Sequence, residues 1–243
     1  MPTPRRQRSL LLPPFNPRQY GATFWLRADD VAGGHGASVS TWSDRLAGIA
    51  ITQATGASQP ALSNNGGPNN QPAVSFDGGD VLTAANISML SLVASNQCHI
   101  YIVQYQDSTQ SNNTTINWNQ GVGNILNTHL TFSDTCYWDF GSSGGGGRIN
   151  AAQPAGWDNA WRLVQLIREP PDSGTSRIRV QASELTSGAV SLTITSGTAT
   201  LSIGGGNSAL KGSIAEIIIC NVAHDTAVRQ RFERYFNARY KLF

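Results

Sequence analysis

The sequence predicts an all-β protein in which two antiparallel sheets pack face to face. The chain holds roughly a dozen short β-prone segments, with no regular alternation of strand and helix patterns. Its 25 glycines and 11 prolines, with many Ser, Thr and Asn residues, supply the turns between strands. Its 243 residues fit one large sandwich, for which about 200–250 residues are usual. These three observations favour a single β-sandwich domain.

The β-prone segments show the patterns that strands require. Segment 38–42 alternates small polar and apolar residues, and segment 23–28 is bulky and β-prone. Turn residues at 64–67, 77–79 and 144–147 separate successive segments. The other predicted strands are 71–76, 98–106, 114–118, 135–140, 162–168, 177–182, 189–195, 199–203 and 213–221.

One segment, 225–240, predicts an α-helix instead. Val228, Phe232, Tyr235, Phe236 and Tyr240 recur at helical spacing and form one apolar face, and Asp225 is a suitable N-cap. A single C-terminal helix after many strands is expected to close an edge of the sandwich. The sequence also suggests a second, short helix at 86–94.

Residues 1–20 predict an extended arm that is basic and rich in proline. Three prolines within 13–17 exclude helix and favour a polyproline-like path. The arm either lies across a neighbouring subunit or follows its own domain, and a solvated tail is a further alternative. Arginines and apolar residues together favour a partner-binding arm, whose candidate contact residues are Arg5, Arg6, Arg8, Leu11, Leu12, Phe15 and Arg18.

Several sequence blocks, in order, resemble the concanavalin A-like, laminin-G-like domains of bacteria and phages. They are FWLRAD at 24–29, VSTWSD at 39–44, QPAL at 59–62, QPAVSFDG at 71–78, LSIGG at 201–205 and LKGSIAEIII at 210–219. With the C-terminal helix, the resemblance covers residue 22 to the end. It implies a concanavalin A-like jelly-roll sandwich over 21–243. Fold alone does not determine function.

The sequence shows no pattern typical of catalysis. A glycosidase needs two carboxylates that face each other, and no acidic residues alternate along a strand. Glu216 lies within an apolar strand, where we expect it to pair with an arginine. The four histidines lack the spacing of a zinc site. We therefore expect binding and no enzyme activity.

Cys98, Cys136 and Cys220 form an odd number of cysteines without regular spacing. Three buried, reduced thiols are the expected state, and one disulfide with one free thiol is the alternative.

Sugar binding requires exposed aromatic rings beside hydrogen-bonding side chains. Three loop or strand segments combine a tryptophan with such residues. The candidate carbohydrate-binding residues are Trp118, Asn119, Trp138, Asp139, Trp157 and Asp158. Burial in the core is an equally good interpretation of these tryptophans, and Trp25, Trp42 and Trp161 have apolar neighbours typical of core residues.

The resemblance also implies a cation site, because laminin-G-like domains often bind one calcium ion at the sandwich rim through oxygen ligands. Asp77 and Asp80 are the candidate metal ligands. The alternative is that both aspartates only stabilise a turn. No other cofactor is expected.

The arm and the resemblance favour a bacteriophage virion protein that decorates the capsid or belongs to the tail. The arm would attach it to other virion proteins in a homo-oligomer or larger assembly, and the sandwich would face host glycans. The alternatives are a free-standing, lectin-like carbohydrate-binding module and a jelly-roll glycoside hydrolase. The apolar stretch 10–12 is too short for a signal peptide, and no segment predicts a membrane span, so assembly in the host cytoplasm is expected.

Overall fold

A computed structural model describes residues 15–121, 123–170, 174–206 and 208–243. These residues form sixteen strands, five short 3-10 helices and one α-helix. The strands are β1 Ala22–Arg27, β2 Thr41–Ser43, β3 Ala50–Thr52, β4 Ala61–Ser63, β5 Ala73–Asp77, β6 Leu82–Ser88, β7 Cys98–Gln106, β8 Asn112–Asn119, β9 Ile125–Phe132, β10 Thr135–Phe140, β11 Arg148–Ala152, β12 Trp161–Arg168, β13 Thr175–Val180, β14 Ser183–Ala189, β15 Thr198–Ile203 and β16 Lys211–Cys220. The helices are the 3-10 turns Pro17–Tyr20, Ala28–Asp30, Gly56–Ser58, Pro68–Asn70 and Met89–Ser91, and α1 Thr226–Tyr240.

The strands form two antiparallel sheets of eight strands each, which confirms the predicted sandwich. One sheet, which we call the helix-covered sheet, has the order β14-β13-β12-β7-β16-β5-β4. Along one edge of β16, β5 pairs with residues 211–214 and β1 pairs with residues 216–220. The open sheet has the order β11-β10-β9-β8-β15-β6-β3-β2. Many neighbours are consecutive in the chain, but the pairs β7–β12, β7–β16, β5–β16, β1–β16, β8–β15 and β6–β15 join distant segments, so the centre of each sheet depends on long-range pairing.

The main core lies between the two sheets. Each strand of the open sheet sends inward at least one large apolar side chain, because successive residues of a strand face opposite sides. These inward residues are Trp42, Ile51, Leu82, Ile203, Trp118, Leu126, Trp138 and Ile149. Burial of such side chains is the dominant favourable term in folding.

Helix α1 forms where the helical spacing predicts, but it covers the outer face of the other sheet instead of closing an edge of the sandwich. Asp225 caps it, since its Oδ1 accepts a 2.8 Å hydrogen bond from the Val228 amide. Phe232, Phe236 and Tyr240 are buried against the sheet, and the Phe232 ring stacks on Tyr101 at 4.4 Å. The second predicted helix, at 86–94, is wrong: β6 continues to Ser88, and only the 3-10 turn Met89–Ser91 follows.

Glu216, on the central strand β16, is the common acceptor that joins helix and sheet. Its buried carboxylate accepts hydrogen bonds from Trp25 Nε1 at 2.6 Å, Tyr235 OH at 2.8 Å and Tyr240 OH at 2.7 Å. The expected arginine is Arg239, whose Nε lies 3.8 Å away. Burial raises the pKa of Glu216, and the three donors oppose that rise.

The end of the predicted arm packs on its own domain. The Phe15 ring stacks on Tyr235 at 4.2 Å and meets Phe232 edge-on at 5.0 Å. Arg18 NH2 donates to the Leu46 carbonyl at 3.1 Å, and His224 Nε2 donates to the Tyr20 carbonyl at 2.7 Å. The candidate arm residues Arg5, Arg6, Arg8, Leu11 and Leu12 lie outside the described residues.

All three cysteines are buried free thiols, as expected. Burial raises the pKa of each, to about 12 for Cys136. Because the thiolate is the reactive form, these side chains behave as small apolar core residues.

We expect Glu216→Ala to lower the free energy of unfolding by about 3 kcal/mol or more, because three buried donors lose their acceptor. Urea denaturation measures the change. The control is Glu184→Ala, at a solvent-exposed glutamate on β14, which should stay within about 0.5 kcal/mol of the parent. Equal losses for the two variants would contradict the assigned role.

Two buried histidines predict a loss of stability in mild acid. Burial lowers the pKa of His99 and His224, which share the Tyr101 hydroxyl, so the folded protein keeps both rings neutral. Unfolded histidine protonates near about pH 6.5, so below that pH the unfolded state binds more protons and the free energy of unfolding falls.

We expect His224→Gln to make this decline between pH 7 and 5.5 shallower, because it removes one of the buried histidines that stay neutral in the folded protein. Urea denaturation at several pH values gives the slope. His35→Gln, at an exposed histidine, is the control and should keep the parent slope. If both variants reduce the pH dependence of the free energy of unfolding equally, the buried histidines are not its cause.

Candidate functional site

A continuous row of polar side chains crosses the outer face of the open sheet. Strand pairing places one residue from each of the eight strands side by side. We call these residues the polar row: Thr41, Thr52, Thr83, Ser202, Asn117, Asn127, Asp139 and Arg148. Their neighbours along each strand are the inward core residues, so the row faces away from the core.

A recess of about 390 Å³ lies at the β9–β11 end of the row and is lined by His129, Phe132, Tyr137 and Arg148. We call it the groove. Tyr137 pairs with His129 across β9 and β10, so both rings emerge on the same face. The Phe132 ring lies 5.5 Å from His129 and 6.5 Å from Tyr137, with 73° between the Phe132 and Tyr137 planes. Phe132 is 37% exposed, so part of its ring is accessible to a ligand.

Arg148 closes one side of the groove and is held rigidly. Its Nε and NH2 donate to the Asp139 carboxylate at 2.6 and 2.8 Å, and its guanidinium lies 4.5 Å from the centre of the Tyr137 ring. Asp139 is fully buried, whereas the Arg148 side chain is 28% exposed. The hydrogen bonds to Asp139 raise the pKa of Arg148. Such a bidentate pair fixes the position of both groups.

His129 is a neutral polar group at the floor of the groove. Burial lowers its pKa, and the nearby Arg148 charge lowers it further, although Asp139 acts in the opposite direction. Asn127 Nδ2 lies 2.7 Å from Nε2, and Thr114 Oγ1 lies 2.9 Å from Nδ1. With Asn127 donating to Nε2, the proton of the neutral ring is on Nδ1 and Thr114 Oγ1 accepts it.

Two asparagines of the polar row keep hydrogen-bonding capacity. Asn117 and Asn127 face each other across β8 and β9. The side-chain oxygen of each is buried and has no hydrogen-bond partner among the described residues. Because buried polar atoms are usually satisfied, these two oxygens indicate acceptors that can serve a hydroxyl or amide donor.

The prediction that three tryptophans offer their faces to a sugar is wrong. Trp118, Trp138 and Trp157 are at most 2% exposed. Their indole N–H groups donate inward, to the Ile87 carbonyl, the Ile167 carbonyl and Gln106 Oε1 respectively. Trp118 and Trp138 occupy the inward phase of their strands, which the core requires.

The polar candidate residues that follow these tryptophans in the sequence lie in three different places. Asp139 belongs to the polar row, beside the groove. Asn119 is exposed and accepts the Gly121 amide of the β8–β9 turn at 2.8 Å. Asp158 accepts from Gln106 Nε2 and Gln153 Nε2, at 3.0 and 2.9 Å, and lines another recess of about 310 Å³. Of the six candidate residues, the structure therefore brings only Asp139 to the groove.

Sequence reasoning missed Asn127, His129, Phe132 and Arg148. Asn117 and Tyr137 lie in the tryptophan segments considered for sugar binding but were not among the candidate residues. The sequence held one usable signal, in segment 137–139. If Trp138 faces the core, Tyr137 and Asp139 must both face outward, because side chains alternate along a strand. The groove also needs residues from β9 and β11, and only strand pairing brings those together.

The two candidate calcium ligands lie in one turn. Asp80 Oδ2 accepts the Asp77 amide at 2.9 Å, and Asp77 Oδ1 accepts the Gly79 amide at 2.8 Å. Asp80 is buried, which raises its pKa and disfavours the charged form. Within the described residues, no group of three or more His, Cys, Asp or Glu side chains lies together. Calcium takes six to eight oxygen ligands, whereas these two aspartates accept hydrogen bonds from backbone amides of their own turn. Their arrangement therefore fits a turn-stabilising role better, and calcium binding stays a prediction.

Solved structures show which fold this arrangement represents. Domain 4 of AbnA, a GH43 extracellular arabinanase from Geobacillus stearothermophilus solved with arabinotriose, matches with a TM-score of 0.60 and 15% identity, over 85% of this chain and 95% of that one. The binding domain of Paraclostridial Mosquitocidal Protein 1 matches with 0.61 and 12%, over 90% of this chain and 53% of that one. The chain has a concanavalin A-like jelly-roll fold.

A third jelly roll is the CBM40 of the Ruminococcus gnavus IT-sialidase bound to α2,6 sialyllactose. It matches with a TM-score of 0.50 and 11% identity, over 64% of this chain and 93% of that one. No protein-family model matches the chain, and a search of curated proteins found no match. In the part of the chain that the structure describes, no helix has the length and hydropathy of a membrane span.

Proposed function

We propose that this jelly-roll domain binds carbohydrate in the groove. The observation that supports the proposal is the placement of the exposed Phe132 ring and the half-buried Tyr137 ring beside a row of hydroxyl and amide side chains. Ligand sites combine apolar walls with a few well-placed polar groups, and a sugar ring has both an apolar face and hydroxyl edges. The site is prearranged, because Arg148, Asp139 and His129 are already held by hydrogen bonds.

The aromatic rings would form the apolar wall of the site. Phe132 and Tyr137 lie at a steep angle to each other, so one ring can stack on a sugar face while the other contacts its edge. Arg148 stiffens Tyr137 by lying over its ring. The wall therefore loses little side-chain entropy when a sugar binds.

Hydroxyl groups of the sugar would meet the polar row. The free Oδ1 atoms of Asn117 and Asn127 can accept hydrogen bonds from them. A site that satisfies otherwise unpaired buried acceptors gains specificity as well as affinity. Those acceptors would favour a ligand with adjacent hydroxyl donors.

The single carboxylate of the site favours binding without hydrolysis. Glycoside hydrolysis uses two carboxyl groups across the bond that breaks. Among the described residues that form the groove and the polar row, Asp139 is the one carboxylate, and it is engaged by Arg148. The names of two structural neighbours, one solved with arabinotriose and one with sialyllactose, agree with a sugar-binding role.

We expect Phe132→Ala and Tyr137→Ala each to weaken sugar binding about tenfold, equivalent to about 1.4 kcal/mol, because each removes one aromatic face. A glycan array identifies the sugars, and isothermal titration calorimetry measures the affinity. Phe243→Ala, at an exposed aromatic residue 47% accessible near the C-terminus, is the control and should bind like the parent.

Absence of binding to every glycan on the array would sink the proposal. So would wild-type affinity in both groove variants, since the sugar would then bind elsewhere. Circular dichroism and thermal denaturation show whether the variants remain folded.

A second candidate function is assembly through the arm, and the packing of Phe15 favours it. Stacking on Tyr235 fixes Phe15, where the described part of the chain begins, at the surface of α1. We propose that this arm attaches the domain to other proteins of a bacteriophage virion, on the capsid or the tail. Attachment through the arm and sugar binding in the groove would be compatible.

Deletion of residues 1–14 should leave the fold intact, because Phe15 and the following turn remain in place. We expect this shortened chain to lose incorporation into particles, as measured by sedimentation of particles assembled with it. A full-length chain with Arg5, Arg6 and Arg8 replaced by Gln tests how much of the attachment is electrostatic. Undiminished incorporation of the shortened chain would exclude the arm as the attachment.

A further inference from the structure

Charge is distributed very unevenly between the two sheets. Within the eight strands of the open sheet, Asp139 and Arg148 are the only acidic and basic side chains apart from His129. The helix-covered sheet, by contrast, has charged residues on most of its strands, including Arg27, Arg177 and Glu184. The face that bears the groove is therefore almost free of charge.

The one arginine of this face is already neutralised. Both hydrogen bonds of the bidentate pair go to Asp139, which has no exposed surface of its own. A carboxylate or sulfate that took Arg148 from Asp139 would leave a buried carboxylate without its counter-charge, which is strongly unfavourable. Recognition of an acidic sugar usually relies on an arginine that is free to form this bidentate contact.

The polar row extends far beyond the groove. It crosses all eight strands, and a spacing of about 4.8 Å between strands gives it a length of roughly 34 Å. The end remote from the groove consists of Thr41 and Thr52, both exposed, and Thr83, which is half-buried. Each side chain of the row other than Asp139 and Arg148 is an uncharged hydroxyl or amide. Ser202, Asn127 and Asp139 are buried, so the accessible members of the row are its remote threonines, Asn117 and Arg148. One sugar unit would occupy only the groove, whereas a linear chain would also contact these accessible members.

We infer that the groove and the polar row together bind a neutral, linear oligosaccharide or polysaccharide, with several sugar units in contact. This inference rests on the proposed sugar binding and adds the class of the sugar and the direction in which it lies. Uncharged hydroxyls would pair with the Thr and Asn side chains, while one unit stacks on Phe132 and Tyr137. Because the ligand carries no charge, there is no ionic attraction for salt to screen, and ionic strength should have little effect on the affinity.

The test uses linear arabino-, xylo- and gluco-oligosaccharides of two, three and six units, each beside a carboxylated or sulfated counterpart. We expect affinity to increase at least tenfold from two units to six for the preferred sugar. Acidic counterparts should bind at least tenfold more weakly. The affinity for the neutral six-unit sugar should change less than twofold between 50 and 500 mM NaCl.

A variant of the remote row separates the two parts of the site. Thr41→Val, Thr52→Val and Thr83→Val together remove three hydroxyls and keep the β-branched shape of each residue. We expect about tenfold weaker binding of the six-unit sugar and unchanged binding of the two-unit sugar. Phe132→Ala should weaken both, which serves as the matched comparison.

Preference for acidic sugars, or binding that weakens strongly with salt, would overturn the neutral class. Equal affinity for two and six units, or a triple variant that binds like the parent, would overturn the extended contact. In each of these cases sugar binding in the groove itself would survive, provided that Phe132→Ala still weakens it. Failure to bind any sugar would instead reject the proposed function from which this inference starts.

Discussion

The buried carboxylate of Glu216 determines which face of the sandwich is covered. It accepts hydrogen bonds from Trp25 on β1 and from Tyr235 and Tyr240 on α1, so helix and sheet meet at one point on the central strand. Two aromatic contacts reinforce this junction, since Phe232 stacks on Tyr101 and Phe15 stacks on Tyr235. With the helix held there, the outer face of the open sheet remains accessible for a ligand.

The open sheet serves two purposes through one geometric rule. Its inward residues supply half of the core, and its outward residues supply the polar row, because consecutive side chains alternate across a strand. Trp138 is a core residue for the same reason that Tyr137 and Asp139 are site residues. A shift of one residue in the register would exchange the two sets and lose both core and site.

Local patterns were sufficient for much of the fold. The Asp225 cap, the helical spacing from Val228 to Tyr240 and most β-prone segments depend on residues close in sequence, and the structure confirms them. The strand predicted at 189–195 is wrong, because β14 ends at Ala189 and the next strand, β15, begins at Thr198. The predicted helix at 86–94 was wrong because pairing of β6 with β15 outweighs the local preference. The candidate site was largely missed, since a conspicuous tryptophan is as suitable for a core as for a sugar, and only packing distinguishes the two.

Short-range patterns are enough to predict a sandwich with a C-terminal helix, because alternation and capping depend on residues close in the chain. Which phase of each strand faces inward, and which residues become neighbours, depends on how the strands pair and pack. Thr41 and Arg148 lie at opposite ends of one row although more than a hundred residues separate them in the chain. Their alignment follows from strand pairing between distant segments, and that pairing depends on the whole core being packed at once.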